Sequence, residues 1–143
     1  MESLIIIEDH AQIRDMLVRT FSEEYQVSAA PNGAEGLRRC REQKPQYVIL
    51  DLRMPRMNGL EVLRHLSREL PQTRVIIFSA YEVTDSVEAT LGQGAMGFVE
   101  KTAGLRELKE GVRALSRNQR YLSPAVARHV LSRETARKRE LVS

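Results

Sequence analysis

Cysteine is nearly absent from this 143-residue sequence, and the single Cys40 cannot form an internal disulfide. It is expected to serve as a small apolar filler on a helix. No group of cysteines and histidines has the spacing of a metal site. Long hydrophobic runs are missing too. None approaches the length of a membrane span, and the Leu4-Ile5-Ile6-Ile7 run is too short for a signal peptide and ends in two acids. These absences point to a cytoplasmic protein without membrane contact. The turn after that first apolar run is acidic and lacks a glycine fingerprint, which argues against a Rossmann-type cofactor protein. With no fixed-period repeat and no low-complexity stretch before the tail, a solenoid is disfavoured.

What is present suits one compact domain with a short appendage. Hydrophobic residues make up 42% of the chain and charged residues 29%. The formal net charge of +3 is unevenly spread: residues 1–105 hold 12 basic and 15 acidic groups, so the remainder carries +6. The basic character belongs to the tail.

Short apolar runs alternate with helical periodicities along the chain. Leu4–Ile7 reads as a buried strand, followed by an amphipathic helix from Ala11 to Glu24 with Ile13, Leu17 and Phe21 on one face. Tyr25–Ala29 is a second strand. Asn32 is an N-cap for a helix carrying Leu37 and Cys40, stopped at Lys44-Pro45 because proline disfavours helical geometry in the residue before it. Tyr47–Leu50 is the third strand. Leu60, Leu63, Leu66 and Leu70 trace a third helix ended by Pro71, and Arg74–Phe78 a fourth strand. Val83, Val87 and Leu91 mark a fourth helix, Gly97–Val99 a fifth strand, and Leu105, Leu108, Val112 and Leu115 a fifth helix. Such alternation implies a doubly wound α/β fold, with parallel strands and helices on both faces of the sheet.

Polar residues stand at four strand ends: Glu8 and Asp9, Asp51, Ser79 and Lys101. In an open parallel sheet the C-terminal edge is where ligands and chemistry collect. Three carboxylates in one cleft raise one another's pKa unless a cation neutralises them. Oxygen ligands of this kind suit Mg²⁺ beside a phosphoryl group. Asp51 can act as a phosphoryl acceptor through an acyl phosphate, with the Ser79 hydroxyl and the Lys101 charge on the anion's oxygens. His10, although it adjoins the acids, reads as a loop residue covering the cleft, and His65 and His129 have no assignable role.

The acidic pair Glu8-Asp9, the stretch from Val48 to Pro55 ending in Asn58-Gly59, the Phe78-Ser79-Ala80 run and Gly97-Phe98-Val99-Glu100-Lys101 together resemble a receiver domain of two-component response regulators. The resemblance covers residues 3 to about 118 and implies a flavodoxin-like fold with five strands in the order 2-1-3-4-5. It implies that Asp51 is the phosphoacceptor and that Glu8, Asp9, Asp51 and the Arg53 backbone carbonyl surround Mg²⁺. Ser79 and Lys101 would contact the phosphoryl group, Phe98 would be the switch aromatic, and a sensor histidine kinase the donor. The output face is expected around the fourth helix, the fifth strand and the fifth helix, with homodimerisation on phosphorylation. Arg53 and Tyr81 flank the site as modulators of a slow autodephosphorylation.

The tail, residues 119–143, is read as a basic linker with a helix over 124–134, because Ser123-Pro124 combines an N-cap with a proline at the first helical position. Its Arg120-Tyr121-Leu122-Ser123-Pro124 stretch resembles the linker leaving the receiver in the NarL/LuxR class. The expectation is a receiver, residues 1–118, of a transcriptional regulator whose helix-turn-helix DNA-binding domain is missing from the chain. The alternative is a stand-alone receiver acting by protein-protein interaction. An enzyme of the haloacid dehalogenase kind is disfavoured, because Arg53 stands where that class resembles a pattern with a second Asp.

Overall fold

The apolar runs become strands buried on both sides, and the periodic segments become the helices that cover them. A computed structural model describes residues 1–80 and 87–142. Its elements are β1 (Ser3–Ile7), α1 (Ala11–Phe21), β2 (Gln26–Ala30), α2 (Gly33–Gln43), β3 (Tyr47–Leu50), α3 (Gly59–Glu69), β4 (Arg74–Ser79), α4 (Val87–Gly92), β5 (Gly97–Glu100), α5 (Gly104–Ser116), β6 (Tyr121–Leu122) and α6 (Pro124–Val142). All strand pairs are parallel and the sheet order is β2-β1-β3-β4-β5-β6. The flavodoxin-like order expected from the sequence is therefore present.

Alternation along each strand separates two cores. Ile5, Ile7, Val48, Leu50, Val75 and Ile77 face the side covered by α2, α3, α4 and α6. Leu4, Ile6, Tyr47, Ile49, Ile76 and Phe78 face the side of α1 and α5. Cys40 is fully buried on the first side, where burial pushes its thiol up to about 12. It fills space, as its position on an apolar helix face implies.

Apart from shifts of one residue at the ends of β1, β2, β4 and β5, three features differ from the sequence reading. Helix α1 stops at Phe21 rather than Glu24, since Phe21 is the last residue that reaches the core and Ser22, Glu23 and Glu24 are exposed. The sheet has a sixth strand: Tyr121 donates its N–H to the Met96 carbonyl at 3.0 Å and Ser123 donates to Phe98 at 3.1 Å. A strand of two residues is too short to leave a periodic trace in a sequence. The last helix runs to Val142, past the expected 134, because residues 132–142 contain neither Gly nor Pro and are rich in Arg, Lys, Glu and Ala. Of the fourth helix as read from the sequence, Val83 lies outside the described residues.

These additions place the tail on the α/β domain. Val126 is fully buried in the same core cluster as Phe98 and Val87, with Leu122 and Val130 packed against it. Burying a valine of this kind contributes about 1.5–3 kcal/mol. Arg133 and Arg137 both pair with Glu88 of α4. From Leu131 to Leu141 every residue is exposed, so α6 enters the core only over its first two turns and beyond them meets the domain through the Arg133 and Arg137 pairs with Glu88. Part of the face expected to carry the output, the α4 and β5 portion, is thus already covered. No helix among the described residues is long and apolar enough to cross a membrane.

Candidate functional site

Asp51 is the first residue after β3, and the neighbouring backbone holds it rigidly. Its N–H donates to the Ile7 carbonyl at 3.1 Å. Seven residues of chain, 52–58, then turn back to start α3, whose N-cap Asn58 accepts from the Glu61 N–H at 3.0 Å. The first helical residue, Gly59, lies against the Asp51 and Leu52 backbone, where an added Cβ would come within 2.6 Å of the Leu52 Cα. Only glycine permits that approach. In this loop Arg56 adopts a left-handed conformation, with φ of 69°.

The topology brings the strand-end residues together as the sequence predicts. Asp51 is 3% exposed and accepts from the Ser79 hydroxyl at 2.8 Å on Oδ1 and from the Lys101 ammonium at 3.2 Å on Oδ2. The Arg53 N–H adds a 3.2 Å hydrogen bond to Oδ1. Lys101 also reaches Glu8 Oε1 at 2.8 Å, so one ammonium bridges two buried carboxylates. Burial holds the Glu8 carboxyl above its ordinary value of 4.5 despite the Lys101 contact. Burial pulls on the Lys101 ammonium in the opposite sense, but Glu8 and Asp51 together outweigh it and the net shift is upward.

Asp9 completes the acidic set. Its Oδ1 is buried and has no hydrogen-bond partner, which leaves a desolvated acceptor oxygen uncompensated. Glu8, Asp9, His10 and Asp51 each offer one donor atom, all within 4.8 Å of one another. Donors on opposite sides of a six-coordinate ion with bonds of about 2.1 Å stand about 4.2 Å apart. The cluster is close to that spacing. The orphaned Asp9 oxygen and the oxygen-rich donor set therefore fit a hard divalent cation. Arg14 of α1 fixes the loop by donating to the Glu8 and Asp9 carbonyls at 2.9 and 3.3 Å.

The remaining expected residues fall around this centre. Phe98 is 1% exposed, in β5, three residues before Lys101 and on the side of the sheet that carries α4 and α6. Arg53 is exposed beside Asp51. Tyr81 lies outside the described residues. Two features were not found from the sequence. His10, read as a loop cover, turns its Nδ1 to within 3.4 Å of Asp9 Oδ1 and 3.5 Å of Glu8 Oε2. Glu100, one residue before Lys101, is buried and accepts from the Ser123 hydroxyl at 2.8 Å. Ser123, read as a side-chain N-cap, opens α6 with its carbonyl, which accepts from the Ala127 N–H at 2.8 Å. The only available signal was the position of Glu100 between Phe98 and Lys101, since its partner is 23 residues away.

A doubly wound parallel sheet that gathers a buried Asp, two further acids, a hydroxyl and a lysine on its C-terminal edge defines a class of α/β domain built around one aspartate. Comparison with known proteins makes the class specific. The response regulator receiver domain family matches residues 4–113, and the chain belongs to that family. It is 32% identical over 133 residues to the response regulator GacA of Pseudomonas viridiflava, covering 91% of this chain and 62% of that protein. It is 31% identical over 113 residues to sporulation initiation phosphotransferase F of Bacillus subtilis, covering 78% of this chain and 91% of that protein. A two-component response regulator of the LuxR family from Aurantimonas sp. SI85-9A1 superposes with a TM-score of 0.88 at 26% identity, over 94% of this chain and 99% of that one. The chain thus spans less than two thirds of the length of its GacA relative.

Proposed function

We propose that this receiver is a phosphorylation-operated switch in which Asp51 takes a phosphoryl group from a phosphohistidine of a sensor histidine kinase. The observation that carries the reading is the convergence of Ser79 and Lys101 on the one buried Asp51 carboxylate, with Lys101 also paired to Glu8. An Asp51 oxygen attacks phosphorus, the new P–O bond forms as the P–N bond breaks, and the imidazole leaves with the electron pair. The Ser79 hydroxyl and the Lys101 ammonium already point at the carboxylate and are placed to take up the oxygens of the arriving group. Glu8, Asp9, Asp51 and the Arg53 carbonyl would hold Mg²⁺, which offsets negative charge between the acids and the phosphoryl oxygens when bound. No external substrate is turned over. The group is lost slowly to water, with Arg53 and Tyr81 as modulators of that loss.

The signal leaves through β5 and its neighbours. Ser79 and Lys101 respond to roughly one and a half to two added charges, and Phe98, three residues before Lys101, shares a core cluster with the α6 anchor Val126. The output is transcriptional control through a DNA-binding domain beyond these residues, with a homodimer formed on phosphorylation. The site of action is the cytoplasm. A stand-alone receiver acting on protein partners is the second reading, favoured by the near-complete coverage of sporulation initiation phosphotransferase F.

The test is incubation of the full chain with a small-molecule phosphodonor and Mg²⁺, followed by intact mass. The wild-type protein gains one phosphoryl group and Asp51→Asn gains none. Equal labelling of both proteins would remove Asp51 from the role.

A further inference from the structure

The acid cluster contains a donor that oxygen chemistry does not require. We infer that His10 Nδ1 is a direct ligand of the ion held by Glu8, Asp9 and Asp51, and that it biases this site toward first-row transition ions that accept nitrogen. The inference rests on the metal reading above. His10 is pinned at its backbone, where its N–H donates to Glu8 Oε2 at 3.1 Å. The extended conformation at that residue, φ −77° and ψ 114°, puts it at the N-terminal boundary of α1 with its ring over the cluster. Nδ1 faces the orphaned Asp9 Oδ1 at 3.4 Å and Glu8 Oε2 at 3.5 Å, inside the same 4.8 Å donor set as Asp51.

The ring side chain is 67% exposed, whereas Glu8 and Asp51 are buried. The acids therefore floor the site while His10 stands at its mouth, free to close by side-chain rotation without repacking the core. Coordination through Nδ1 requires the tautomer that carries its proton on Nε2. Mg²⁺ prefers oxygen and water, while imidazole suits ions such as Ni²⁺ and Zn²⁺. One nitrogen among three carboxylates leaves the site able to hold Mg²⁺ but raises the affinity of the softer ions.

Two measurements test this, both in a His65→Gln/His129→Gln background, so that His10 is the only imidazole. With Mn²⁺ bound to the full chain, electron spin-echo modulation should show directly coordinated ¹⁴N, and His10→Gln should abolish it while leaving Mn²⁺ bound. In equilibrium binding, His10→Gln should weaken Ni²⁺ about tenfold or more and change Mg²⁺ by about twofold at most. Bound Mn²⁺ without nitrogen modulation, or a parallel loss of Ni²⁺ and Mg²⁺, overturns the role of His10 and leaves the acid site standing. Failure of Mn²⁺ and Mg²⁺ to bind at all overturns both, and the Asp51→Asn mass test then decides separately whether phosphoryl acceptance survives.

Discussion

Two buried polar assemblies sit within a few residues of each other at the C-terminal edge of this sheet, and they differ in one respect. At the end of β5, Glu100 and Ser123 satisfy each other: the hydroxyl donates to the carboxylate at 2.8 Å, and the Glu100 N–H donates back to the hydroxyl at 3.4 Å. At the ends of β1 and β3, Glu8 and Asp51 share one ammonium, and beside them an oxygen of Asp9 has no hydrogen-bond partner. A buried polar group costs the fold unless it is paired. The complete assembly therefore fastens the tail, and the incomplete one leaves an acceptor that a cation would satisfy.

This contrast is broken most severely by supplying the ligand and then removing its seat. Mg²⁺ at about 100 times its dissociation constant should stabilise the wild-type protein by about 2.7 kcal/mol. In Asp9→Asn that gain should largely vanish, as urea unfolding with and without Mg²⁺ will show; an unchanged gain would place the ion elsewhere. The completed assembly should behave oppositely. Ser123→Ala leaves the Glu100 carboxylate short of a donor and should cost about 1–3 kcal/mol, regardless of Mg²⁺. A loss that depends on the ion would mean the two assemblies are one site.

Titration sharpens the same difference with smaller effects. Glu8 in the folded, metal-free protein lies above its unfolded value of 4.5, so its contribution is most favourable below 4.5 and is lost as pH rises through the folded value. Glu8→Gln should flatten that acid-side fall. Lys101 lies above its unfolded value of 10.5, so its contribution is complete below 10.5 and is lost as pH rises through the folded value. Lys101→Met should remove that alkaline fall. Stability measured against pH without metal checks both signs, and an unaltered profile in either variant would contradict the bridging role. The smallest effect belongs to the exposed end of the tail contact. Arg137→Ala should cost about 0–1 kcal/mol, and a larger loss would show that the Glu88 pairs, rather than the buried Ser123 and Val126, hold α6.

The incomplete assembly was far more legible in the sequence than the complete one. Glu8, Asp9, Asp51, Ser79 and Lys101 each follow an apolar run, so a parallel sheet brings them to one edge by topology alone. Asn32 and Asn58-Gly59 mark helix starts with local chemistry that depends on a few neighbouring residues. In the tail only the start of α6, at Ser123-Pro124, carried such a marker. Strand β6 has two residues and is defined only by what it pairs with, and a glutamate beside a lysine at a strand end gives no sign that it is buried under a serine 23 residues later. His10 escaped for a related reason: its ring acquires meaning only from the distance to Asp9 and Glu8, which depends on loop geometry.

The shape of α6 gives its anchor a mechanical meaning. Nineteen helical residues form a rod of about 28 Å. With only the first two turns in the core and exposed Glu88 pairs beyond them, a tilt of about 5° at Ser123 and Val126 would swing the far end by about 2.5 Å, given that length. A side-chain movement at the end of β5 too small to disturb the core would thus be geared up to the size of an atomic contact at the distal end of the helix.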